Sequence, residues 1–130
     1  MTLPRSARIG QAAREAVRAF VRELGEQSTA DACLLVSELV TNAYRHGRGD
    51  IRLRITVDHE VARFAVYDAG QTRFLPIAHP DEHGGWGLNL VQRIADRWGI
   101  GATPTHVWFE LQAPRRSRQP RGSLPPLMTA

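Results

Sequence analysis

Three short segments hold the residues whose types and spacing suit chemistry. In LLVSELVTNAYRHG, Glu38 and Asn42 stand four residues apart. In a helix that spacing puts both side chains on one face. Many helix surfaces carry such a pair, and alone it means little. In VYDAG, Asp68 ends an apolar run on the same face as Phe64 and Val66. A carboxylate on a buried face is costly unless it finds a partner. In GGWGLNLV, a glycine-rich turn feeds a helix, and Gly85 and Gly87 let a ligand approach the backbone closely. The unpaired N–H groups at such a helix start suit phosphate. His79 and His83, with Asp81 and Glu82 between them, have permissive metal spacing, but no further matching cluster exists and zinc is not expected. No Ser/His/Asp or Cys/His arrangement stands out.

The elements that position these groups follow from periodicity. Residues 6–25 read as an amphipathic helix with Ile9, Ala13, Ala16, Val17, Phe20 and Leu24 at helical spacing, and Gly25 can end it. Ser28 or Thr29 can cap a second helix that stops about Gly47, with Cys33 among its small core residues. In IRLRITV, Ile51, Leu53, Ile55 and Val57 alternate with polar residues, which predicts a strand with one buried face. Asp58-His59-Glu60 then suggests a hairpin into VARFAVYD. A third helix is expected over about 87–97, broken by Gly99, with strands near 98–101 and 106–112. This order predicts helices on one face of a largely antiparallel sheet.

Length and charge narrow the function classes. The 130 residues make one domain's worth of chain, and no apolar run approaches the roughly 20 residues that cross a bilayer. The N-terminal residues lack a signal peptide's apolar stretch, so a cytoplasmic protein without membrane contact is expected. The single cysteine, Cys33, implies no oxidising compartment. All 17 basic residues are arginines. Four of them (Arg115, Arg116, Arg118, Arg121) fall in residues 114–130, which hold four prolines and no acid and read as a disordered tail. The remaining 13 balance the 13 acids of residues 1–113, the expected folded domain. A formally neutral core is not expected to bind nucleic acid directly.

Taken together and in order, the three segments resemble the GHKL (histidine-kinase-like, Bergerat-fold) ATPase superfamily. E-L-V-T-N-A at 38–43 looks like its N box, D-A-G at 68–70 its first glycine box and G-W-G-L at 85–88 its second. The resemblance covers about residues 7–112 and is closest to the small stand-alone ATP-binding proteins of actinobacteria, which are similar to anti-sigma-factor serine/threonine kinases. It implies an α+β, two-layer sandwich, with three main helices on one face of a mostly antiparallel mixed sheet. Gyrase-type, mismatch-repair, Hsp90-type and complete histidine-kinase relatives need further segments, and the chain's length sets them aside.

The resemblance also implies roles. Asn42 would offer a neutral oxygen to Mg²⁺ on the nucleotide phosphates, and Glu38 would be the catalytic base that takes the proton of an attacking hydroxyl. Asp68 would accept a hydrogen bond from the adenine amino group, and Gly70 would let the purine approach the backbone. Gly85 and Gly87, with the amides of Leu88 and Asn89, would hold phosphate oxygens of ATP or ADP. His46 either lines the pocket or caps the helix end. Relatives often carry a Lys-Thr or Gly-Thr pair before the last strand, whereas Thr105 and His106 stand here, and only 13 residues separate Gly70 from Gly84. The expected function is an ATP-dependent protein serine/threonine kinase that binds a sigma factor or similar target and phosphorylates a small antagonist protein. A nucleotide-loaded module that sequesters a partner without phosphoryl transfer is the alternative. A homodimer is expected by resemblance, with surplus apolar residues of the first helix, such as Val21, as the contact.

Overall fold

The computed structural model describes residues 1–21, 24–68, 86–102 and 105–113. Gly70, Gly85, the segment with His79 and His83, and the tail expected over 114–130 lie outside the described residues. In chain order the elements are β1 (Thr2–Leu3), α1 (Ile9–Phe20), α2 (Glu26–His46), β2 (Ile51–Asp58), β3 (Val61–Asp68), α3 (Trp86–Ile94), β4 (Arg97–Ala102) and β5 (Thr105–Gln112). The strands form one sheet in the order β1-β2-β3-β5-β4. Every pairing among the described residues is antiparallel, which bears out the largely antiparallel sheet read from the sequence; the parallel pairing that the resemblance added is not among them.

The three helices form a layer over one face of this sheet, giving an α+β sandwich. α1 packs on α2, and α2 lies across β2, β3 and β5 while also touching α3. Alternation drives the arrangement: Ile51, Leu53, Phe64, Val66, Val107, Phe109 and Leu111 are all buried, facing Leu35, Val36, Leu39 and Val40 of α2. Phe64 and Phe109 stack with centroids 4.9 Å apart at the centre. Burying each such side chain stabilises the fold by about 1.5–3 kcal/mol, before any account of lost chain entropy. Burial fades along β2 towards the hairpin. Ile55 is half-buried and Val57 is 55% exposed, so the apolar alternation runs past the edge of the helical layer.

Several expected boundaries move, each for a local reason. The apolar pattern of α1 continues to Val21 and Leu24, both buried, yet the helix ends at Phe20 and the backbone leaves the helical conformation at Val21, with φ −124° and ψ 79°. Val21 is therefore core and offers no contact to a second copy; its neighbour Phe20 is the exposed one. Gly25 does not end α1. It is the N-cap of α2, at φ 88° and ψ 161°, a conformation open essentially to glycine alone. Ser28 consequently lies inside α2, where its hydroxyl donates to the Gln112 carbonyl at 3.3 Å and ties the helix to β5. α3 stops at Ile94, five residues before Gly99, because Asp96 already donates its N–H to Glu110 of β5. Gly99 lies in β4, under the ring of Trp108. β1 was not foreseen, since two residues carry no period; its Leu3 is buried and pairs with Ile51.

Candidate functional site

Asp68 is the last residue of β3 and is 7% exposed. The pleat turns it, with Phe64 and Val66, towards the helices, opposite Ile51 in the register. Its carboxylate lies directly against Gly47, the residue that ends α2. A Cβ added at Gly47 would sit 2.8 Å from Asp68 Cγ, closer still to Oδ2, and 2.7 Å from the Ala43 carbonyl. Gly47 has φ −94° and ψ −171°, which any residue can adopt. Glycine is required here for space alone. The sequence showed Gly47 only as a helix stop, and nothing local to it reveals that an acid from a strand 21 positions later fills the space of its missing side chain.

The end of α2 is fastened from a distance. The Arg5 guanidinium donates to the carbonyls of Tyr44 (3.2 Å), Gly47 (2.6 Å) and Gly49 (3.2 Å) and lies 5.7 Å from the centre of the Tyr44 ring. A cation at this position satisfies carbonyls that the helix leaves unpaired and complements the negative end of its dipole. Sequence reasoning missed Arg5 because its partners lie some 40 positions away and no pattern marks them.

Glu38 and Asn42 are half-buried on α2 and share a helical face, as their spacing required. At about 1.5 Å of rise per residue, Asn42 lies ~7–8 Å and Glu38 ~13–14 Å back along the axis from Gly47. The acid–glycine contact, the amide and the second carboxylate thus follow one another along a single rigid element. α3, whose first turns carry Gly87, Leu88 and Asn89, packs on α2. Asn89 is half-buried. His46 occupies the exposed last turn of α2. His106 does not join this group: it pairs with Tyr67 and stacks on it at 4.5 Å, on the sheet face opposite Asp68. Among the described residues, no group of three or more His, Cys, Asp and Glu stands together to hold a metal.

The model of the histidine kinase-like ATPase domain family matches residues 3–111, which take in all three helices and almost the whole sheet. The chain belongs to that family, and membership supports ATP binding. No curated protein matches the chain. Among the described residues, no helix is long and apolar enough to cross a membrane.

Proposed function

We propose that the chain is a cytoplasmic, ATP-dependent protein serine/threonine kinase of the anti-sigma-factor type. It would hold a sigma factor or similar target and phosphorylate a small antagonist protein. The observation that carries this reading is the order of groups along α2: Asp68 against Gly47 at one end, Asn42 in the middle and Glu38 beyond it. Base, phosphates and attacking hydroxyl must follow one another in that order for in-line transfer. Asp68 fills the space beside Gly47, and a buried carboxylate at that end of α2 suits the amino group of an adenine.

ATP would lie along α2 with its adenine at Asp68 and its phosphates running past Asn42 towards the start of α3. There Gly85, Gly87 and the amides of Leu88 and Asn89 would donate to phosphate oxygens, and Gly70 would flank the purine. Mg²⁺ bound with the nucleotide would offset phosphate charge, and the Asn42 amide oxygen is a hard neutral donor suited to it. Glu38 takes the proton of the substrate serine or threonine as its oxygen bonds to the γ-phosphorus. The bond from that phosphorus to the β,γ-bridging oxygen breaks, and ADP leaves. Transfer of label from γ-labelled ATP to an antagonist protein of the same organism tests the reading. Transfer that is lost in Glu38→Gln supports it, and no transfer to any antagonist overturns it.

One observation favours the second reading, a nucleotide-loaded module that sequesters its partner. His106 stands on the far side of the sheet, so it brings no cation to the phosphates. Tight ADP binding with no ATP consumed in the presence of partner would select this alternative. Self-association, which the resemblance implies, would need a surface other than the buried Val21.

A further inference from the structure

The sheet face turned away from the helices has a composition unlike an ordinary solvated face. The register sets its side chains in three rows. Thr2, Arg52, Tyr67, His106 and Gly101 form the first, Arg54, Ala65, Trp108 and Gly99 the second, and Thr56, Arg63, Glu110 and Arg97 the third. Four arginines stand against Glu110 and, at the hairpin end, Asp58. The folded domain is neutral as a whole, so this face concentrates its positive charge.

The arginines are not all loose. Glu110 accepts from Arg63 at 3.2 Å and pairs with Arg97 at 3.6 Å. Arg63 lies 3.9 Å from the centre of the Trp108 ring and Arg97 5.9 Å from it. Trp108 in turn lies flat on Gly99, where a Cβ would meet its ring at 2.8 Å, and the His106 ring occupies the corresponding space over Gly101. One acid thus holds two guanidiniums over an indole, and Arg52 and Arg54 extend the same surface along β2.

We propose that this face docks the acidic, carboxylate-bearing surface of a partner protein. The charge is complementary to carboxylates, and arginine and tryptophan are the side chains that most often anchor protein interfaces. A guanidinium stacked on a ring is already oriented, so little freedom is lost when it binds a carboxylate in bidentate fashion. Single-stranded nucleic acid fits less well, because bases need free aromatic faces to stack on. Here Trp108 is covered by Arg63 above and Gly99 below, and His106 is enclosed by Tyr67 and Gly101. The arginine-rich residues 114–130 have the wrong charge to occupy the face. Docking here requires no nucleotide, so it stands apart from the kinase reading.

The test uses the full chain without nucleotide and three probes: a helical peptide with glutamates along one side, its lysine counterpart, and an oligothymidylate. Amide shifts in NMR spectra report the site, and a titration reports affinity. The glutamate peptide should shift β2, β3 and β5, and Arg52→Glu with Arg54→Glu should weaken it about tenfold or more. Arg63→Lys keeps the charge but loses the fork, and should still weaken binding about threefold or more. Replacing the four arginines of residues 114–130 by glutamine should change it by less than about twofold. The proposal is overturned if Arg63→Lys binds as the wild type does, since diffuse attraction then suffices. It is equally overturned if the tail variant loses binding and the face variant keeps it, if oligothymidylate binds the face more tightly than the peptide, or if the face proves to join two copies of the chain.

Discussion

Asp68 and Gly47 act as a pair in which each residue constrains the other. The carboxylate occupies the space where a side chain of residue 47 would begin, so a methyl group there must displace it or push the end of α2 aside. Gly47→Ala is therefore expected to weaken ATP by about 1–3 kcal/mol, as is Asp68→Asn, which replaces a carboxylate that only accepts by an amide that can also turn a donor to the adenine amino group. Inorganic triphosphate, which has no base, should bind both variants as it binds the wild type. Calorimetry with both ligands checks this, and an equal loss for the two would remove Asp68 from base recognition. Glu38→Gln belongs to the same scale. It keeps size and polarity, so ATP binding should persist while phosphoryl transfer falls by about 10²–10⁴-fold. A variant that phosphorylates at the wild-type rate would refute the role of base.

At the scale of elements, α2 depends on a start and an end that the sequence displays unequally. Gly25 holds a conformation that costs other residues about 1–3 kcal/mol, so Gly25→Ala should lower the unfolding free energy by that amount in a denaturant titration. Thr29→Ala should cost well under about 1 kcal/mol, because Gly25 is the N-cap and Thr29 already lies inside the helix. The interior of α2, the β2–β3 hairpin and β5 were legible because their apolar residues recur at 3.6 or 2 positions over many residues. The ends were not. Ser28 has the chemistry of a cap and spends it on the Gln112 carbonyl, 84 positions away. Gly99 has the chemistry of a helix breaker and makes room for Trp108. Glu38, Asn42 and Asp68 were visible as motif residues, whereas Gly47 and Arg5 acquire meaning only from contacts between distant segments.

For the molecule as a whole, Cys33 reports how tightly α1 closes on α2. It is buried in α2, its thiol lies 3.8 Å from the Arg14 carbonyl of α1, and burial pushes its pKa up, partly offset by Arg18 and Arg14. A thiol whose folded pKa is raised stays protonated after the unfolded chain's thiol has ionised, near about 8.5. Its contribution to stability is thus fully present below that pH and is lost as pH rises through the folded value. The unfolding free energy should fall above about pH 8.5, and Cys33→Ala should lose that share of the slope. Alkylation at neutral pH should also be far slower in the folded protein than in denaturant, since α1 must separate from α2 to expose the thiol. Rapid labelling of the folded chain would mean that this seam opens easily.

The two glycines that follow α2 differ in kind, and every codon change at them should reveal it. Gly47 has an ordinary backbone and lacks only room, so in a saturation library selected for ATP binding all nineteen replacements meet the same obstruction at their first carbon. Gly49 has φ 70°, where the restriction is torsional and asparagine or aspartate is tolerated. Position 47 should emerge empty and position 49 thinned to a few small polar residues. A library in which alanine survives at 47 as often as asparagine does at 49 would show that the carboxylate at 68 can swing clear.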